Sequence, residues 1–256
     1  MAQQFSDVAQ SMGINQTFGF GEFGGGVSFH DFNGDGQDDL TFCSEDGEPM
    51  YFFENNNGVF QAITAPVNLT AETKEATWVD YDNDGDKDLY VTVHNGSNRL
   101  YNNSGSLNLV DVTATAFGGL DNHPSHGSAW GDVNRDGWLD LYVCNFYYEA
   151  GDYNNLWLNN GDGTFTDVTL STAASEGIIP TFDAVFIDYN KDGWPDLYTS
   201  NDKYGNPNSL FRNDAGSFTD VSVPSGANVD INSMNAGGAD FDNDGDQDLL
   251  VNHDFG

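Results

Sequence analysis

The chain has 256 residues, 41 of them acidic and 7 basic, for a formal charge of −34. That balance excludes nucleic acid and anionic membrane as partners, because a polyanion gains nothing from a phosphate backbone or an acidic lipid surface. The 19 Phe, 11 Tyr and 5 Trp supply a core that disordered acidic chains lack, and no apolar run is long enough to cross a bilayer.

The segment Gln4-Phe-Ser-Asp-Val-Ala predicts a short opening strand. Met1-Ala-Gln-Gln has neither the basic start nor the apolar run of a secretory leader. The first loop follows at Asp31, reading Asp-Phe-Asn-Gly-Asp-Gly, and loops of the same spacing open at Asp80, Asp132, Asp188 and Asp240. Each has oxygen side chains at positions one, three, five and nine, Gly at six and Leu at ten.

The ligand set of loop one is Asp31, Asn33, Asp35 and Asp39, and that of loop two is Asp80, Asp82, Asp84 and Asp88. Loop three supplies Asp132, Asn134, Asp136 and Asp140, and loop four Asp188, Asn190, Asp192 and Asp196. Loop five supplies Asp240, Asp242, Asp244 and Asp248. Position seven is unrestricted (Gln37, Asp86, Trp138, Trp194, Asp246), which predicts a backbone carbonyl ligand, because every residue has one. Oxygens at alternate positions of a tight loop converge on a hard cation, and Gly permits the sharp central turn.

About five Ca²⁺ ions are therefore expected, since Mg²⁺ prefers a compact octahedron with retained waters. Asp, Asn and Gly also favour metal-free turns, but five loops with one spacing argue for metal. An EF-hand would place Glu at position twelve, where this chain has Phe42, Val91, Val143, Thr199 and Val251. Of the acidic residues, 17 occupy these loop positions, and five bound ions would bring the charge to about −24. Loops with millimolar-range calcium affinity suit an extracellular setting, so a leader is expected to have been removed or left out.

Around each loop the chain reads as four strands. One precedes the loop, as in Ala76-Thr-Trp-Val, with an aromatic two residues before the first Asp (Phe29, Trp78, Trp130, Phe186), and the next starts at position nine, as in Asp88-Leu-Tyr-Val-Thr. The third reads Asn98-Arg-Leu-Tyr-Asn, Asn155-Leu-Trp-Leu-Asn or Asn208-Ser-Leu-Phe-Arg-Asn, and the fourth Thr164-Phe-Thr-Asp-Val-Thr or Ser217-Phe-Thr-Asp-Val-Ser. Four short antiparallel strands per period of 49 to 56 residues predict an all-β fold, a β-propeller. Residues 1–256 are expected to form one calcium-binding propeller domain with loops at 31–39, 80–88, 132–140, 188–196 and 240–248. All five loops should lie at one end of it.

These Asp-x-Asp/Asn-x-Asp-Gly-x-x-Asp-Leu loops, with the Phe-Thr-Asp-Val-Thr and Asn-x-Leu-Tyr-x-Asn strands, resemble FG-GAP/VCBS repeats, the blades of integrin α-type propellers. The chain is most similar to the secreted cartilage-acidic-protein-like group that carries ASPIC/UnbV tails. The resemblance implies calcium at the named loop residues, extracellular placement, and adhesion or carbohydrate binding; it does not imply catalysis. Propellers of this family usually have seven blades, whereas four complete repeats and half of a fifth are present here. Either a five-bladed ring closes through the opening strand, or the chain is an open arc of a larger propeller whose unfinished blade can self-associate.

The end opposite the loops has the least repetitive residues, notably Asn145-Phe-Tyr-Tyr-Glu-Ala-Gly-Asp-Tyr-Asn and Asn201-Asp-Lys-Tyr-Gly-Asn-Pro. Aromatics backed by amides and acids form platforms for sugar rings, so Tyr147, Tyr148, Glu149, Tyr153 and Tyr204 are candidate contacts for a glycan or extracellular protein ligand. The alternatives are a calcium-dependent polysaccharide lyase or glycosidase and a purely structural spacer. No nucleophile elbow, zinc-protease helix or phosphate-binding Gly loop is present. His123-Pro-Ser-His126, with His30, His94 and His253, is a weak transition-metal signal, and Cys43 and Cys144 read as buried free thiols.

Overall fold

A computed structural model describes residues 6–16, 18–19, 21, 24–120, 122–146, 153–202 and 205–254. The first sheet is β1 (Val27–His30), β2 (Asp39–Phe42), β3 (Tyr51–Asn56) and β4 (Val59–Ile63), and the second is β5 (Thr73–Val79), β6 (Asp88–Val93), β7 (Arg99–Asn103) and β8 (Leu109–Asp111). The third is β9 (Ser125–Gly131), β10 (Asp140–Asn145), β11 (Asn155–Asn159) and β12 (Phe165–Asp167). The fourth is β13 (Thr181–Ile187), β14 (Asp196–Asn201), β15 (Ser209–Asp214) and β16 (Ser217–Asp220). The strands β17 (Ser233–Ala239) and β18 (Asp248–His253) pair as a two-stranded sheet. All pairings are antiparallel between sequence neighbours, so each sheet is a meander of the kind predicted, and the fold is an all-β propeller.

The core lies between blades. Every residue of β6, β10 and β14 is buried, which requires cover on both faces. Alternation along each strand divides the load: Leu89, Val91 and Val93 pack with Phe32, Phe52 and Trp78 of the preceding side, while Tyr90 turns toward Leu141 and Val143. Tyr142 and Cys144 then face Leu197 and Phe211 of the fourth blade. The innermost strands β1, β5, β9, β13 and β17 pack in series around the axis.

An Asn at the head of the third strand staples blades two, three and four to the blade that follows; in the third blade it is Asn154, one residue before the Asn155 that opens the sequence motif. Asn98, Asn154 and Asn208 each accept the N–H of Val93, Asn145 or Asn201 through Oδ1 at 2.9 Å. Their Nδ2 groups donate to Ser125 Oγ, Thr181 Oγ1 and Ser233 Oγ of the following blade at 2.9, 2.8 and 2.7 Å.

The predicted opening strand lies partly outside the described residues. Ser6 to Val8 form no strand, and Ala9–Met12 is a 3₁₀ turn. Asp7 Oδ1 accepts the Ala9 N–H at 3.0 Å, the same cap that Asp111, Asp167 and Asp220 make where β8, β12 and β16 end. Cys43 and Cys144 are buried free thiols, as expected.

Candidate metal centres

Each acidic loop is folded by its own carboxylates. Asp31 Oδ1 accepts the N–H groups of Gly34 and Asp35 at 2.8 and 3.1 Å, and Oδ2 accepts that of Gly36 at 2.8 Å. Asp132, Asp188 and Asp240 repeat the contact to the position-six Gly at 2.8 to 3.0 Å. Those glycines have φ between 83 and 94° in the five loops, a conformation that side-chain-bearing residues avoid. At position seven, the N–H of Gln37, Asp86, Trp138, Trp194 and Asp246 donates to the position-five carboxylate at 2.8 to 2.9 Å.

Position nine is built differently. Asp39, Asp88, Asp140 and Asp196 are fully buried, and each carboxylate joins its loop to the third strand. Asp140 accepts from Val133 N–H and Asn159 N–H, both at 2.9 Å, and Asp88 accepts from Tyr81 and Asn103 at 3.2 and 2.8 Å. Burial pushes Asp88 and Asp140 up to about 7 and Asp196 to about 6, with neighbouring loop carboxylates adding to the rise.

In loop two, oxygens of Asp80, Asp82 and Asp88 lie within 4.8 Å of one another, and in loop five those of Asp240, Asp242 and Asp244 do. Asp84 and Asp248 stand outside these groups, and loops one, three and four have an Asn at position three, leaving fewer carboxylates to converge. Asp80 Oδ1 is buried with no hydrogen-bond partner. An orphaned buried carboxylate oxygen beside two others fits a hard cation with oxygen ligands.

The loops also touch one another through position four, which the sequence reading overlooked. Asn83 Nδ2 donates to the Gly137 carbonyl at 3.0 Å, Arg135 stacks over the Trp194 ring at 4.2 Å, and Lys191 pairs with Asp246. Equally overlooked was the Asn that ends the third strand: Asn159 Nδ2 donates to Tyr81 and Leu139 carbonyls at 2.8 and 3.1 Å, and Asn213 does the same for Val133 and Pro195 at 2.8 and 3.0 Å. Its recurrence at one place in each repeat was the available signal.

Of the candidate ligand contacts, Tyr147, Tyr148, Glu149 and Tyr204 lie outside the described residues. Tyr153 is half-buried, and its carbonyl accepts from Asn145 Nδ2. His94 and His126 face each other at 3.2 Å, but among the described residues no histidine joins a group of three metal-ligating side chains. Burial pushes His126 down to about 2, which leaves the imidazole neutral.

The fold and these sites together define a β-propeller with an acidic, oxygen-lined loop at one end of each blade. The FG-GAP-like repeat model matches residues 31–91, 80–143, 146–199 and 188–251, and the chain belongs to that family. It is similar to cartilage acidic protein 1 of Xenopus tropicalis, 29% identical over 184 residues, 67% of this chain and 27% of that protein. The Mus musculus protein of the same name is 28% identical over 178 residues, 65% of this chain and 26% of that protein. The chain thus spans about a quarter of the length of these relatives. A solved Agrocybe aegerita lectin, described for specific recognition of non-reducing terminal N-acetylglucosamine, superposes at a TM-score of 0.54 and 19% identity, covering 88% of this chain and 60% of that one. That likeness concerns the fold.

Proposed function

We propose that the chain is a calcium-braced, non-catalytic extracellular binding module that presents the end opposite its acidic loops to a glycan or matrix protein. The observation that carries the calcium reading is the Asp80–Asp82–Asp88 group, with Asp80 Oδ1 buried and unsatisfied. Calcium at positions one, three, five, seven and nine of all five loops would neutralise carboxylates that otherwise repel one another, so binding is linked to folding. The ions brace the scaffold, and recognition belongs to the loops between second and third strands, where residues vary from blade to blade.

Membership in a family whose relatives here are cartilage acidic proteins supports an extracellular role, and the lectin's fold supports a glycan as ligand. A glycan array in calcium buffer tests this reading. Binding to a restricted set of glycans, lost in Tyr147→Ala and Tyr148→Ala at unchanged melting temperature, is the expected result. Release of new reducing or unsaturated ends from a polysaccharide panel would instead make the chain an enzyme.

A further inference from the structure

Five residues before the first Asp of each loop, the inner strands have Gly26, Glu75, Gly127, Asp183 and Asn235. These positions meet around a cavity of about 370 Å³ at the end of the axis away from the acidic loops. A shared distortion places them there. Strand register shifts between Thr73 and Glu75, between Thr181 and Asp183, and between Ser233 and Asn235, and such bulges re-aim the side chain that follows. Two residues before the loop the inner strands repeat an aromatic in four blades, but here the residue changes from blade to blade, as a binding position can and a scaffold position cannot.

Glu75 and Asp183 flank Gly127. Ser128 Oγ donates to Glu75 Oε2 at 2.6 Å, while Asn235 Nδ2 and the Ala236 N–H donate to Asp183 Oδ2 at 2.7 and 3.1 Å. A Cβ on Gly127 would lie 2.8 Å from Asp183 Oδ1 and 2.6 Å from the Phe182 carbonyl oxygen, so the missing side chain keeps the gap between the two blades open. On the adjoining wall the Lys74 ammonium is engaged by Glu72 at 2.6 Å and by the Gly24 carbonyl at 3.0 Å. Phe182 and Met234 add an apolar surface. The cavity thus combines two carboxylates, held in place by donors from the next blade, with an apolar side.

We propose that this axial cavity binds an organic ammonium group on a compact body of about monosaccharide or amino-acid size. The volume suits a small molecule rather than a bare ion, since such sites start at about 300 Å³. Among the described residues, groups of three converging carboxylates occur only in the loops, so the cavity lacks the cage a metal needs. An ammonium group offers three donors and can bridge two carboxylates. Burial, reinforced by Asp183, holds Glu75 at about 8, and burial holds Asp183 at about 6, so at pH 7 the ammonium meets an ionised Asp183 and displaces the proton that Glu75 carries.

Isothermal titration of the calcium-saturated full chain at pH 7 tests the proposal, with D-glucosamine and putrescine as amine probes and D-glucose as the neutral control. One equivalent of at least one amine should bind, and glucose about tenfold or more weaker than glucosamine, the loss expected when charge-assisted hydrogen bonds are removed. Glu75→Gln and Asp183→Asn should each weaken amine binding about tenfold while leaving calcium stoichiometry unchanged. Glucose binding as tightly as glucosamine overturns the proposal, as does silence from both amines; neither result depends on how a variant folds. A variant that binds one calcium ion fewer would assign the cavity to metal instead.

Discussion

Replacing Asn159 by Ala tests how the acidic loops are fastened to the blades. The side chain is buried, and its Nδ2 donates to Tyr81 of the second blade at 2.8 Å and to Leu139 of its own loop at 3.1 Å, while Oδ1 accepts the Gly161 N–H at 3.0 Å. Three hydrogen bonds go, and two carbonyls lose a donor. At about 1 kcal/mol net for each bond the loss is about 3 kcal/mol, with more if the carbonyls stay dry. For a domain of this size that lowers the melting temperature by about 6–12 °C. Asn160→Ala is the control, because Asn160 is exposed and its contacts are to Thr164 and Thr166 of the same hairpin. Thermal unfolding followed by tryptophan fluorescence, in calcium buffer, compares the two. If Asn159→Ala melts within about 2 °C of Asn160→Ala, the clamp contributes nothing and the reasoning fails.

Asp84→Ala should weaken calcium affinity more than Asp86→Ala, since position five is proposed to ligate through its side chain and position seven through its carbonyl; calorimetric titration giving equal affinities would contradict the loop assignment. Acid should destabilise the fold through His126, whose folded imidazole titrates near 2 while the unfolded one takes a proton below about 6.5, so stability falls as pH drops by up to about 1.4 kcal/mol per unit. His126→Phe should therefore lose less melting temperature between pH 7 and 5 than the parent, and superimposable profiles would refute this. Cys43 and Cys144 are buried, and burial pushes Cys43 up to about 12, so a thiol reagent should label neither in the folded protein and both after unfolding.

Most of the fold was legible because the repeat states it several times. Asp88-Leu-Tyr-Val-Thr and its counterparts are apolar at consecutive positions, and only a strand covered on both faces can bury such a run. The loops were legible because the Asp spacing and the position-six Gly leave few alternatives. The anchoring role of position nine was not, since a carboxylate that accepts backbone N–H groups has the same letter as one expected to ligate a metal. The axial residues Glu75 and Asp183 were hidden for the opposite reason: they do not recur, and only the packing of the inner strands in series around one axis brings them together. The opening strand was misjudged, since Ser6 to Val8 form no strand and Ala9–Met12 turns, although the Asp7 cap is the one that follows β8, β12 and β16.

The central claim is that the five acidic loops hold calcium. Equilibrium dialysis with metal analysis of the full chain tests it directly, first in millimolar calcium and then after EDTA. The account predicts about five ions per chain, one fewer in Asp84→Ala, with a clear drop in melting temperature when they are removed. Calcium no higher in the protein compartment than in the buffer, with the same melting temperature in EDTA, would contradict it.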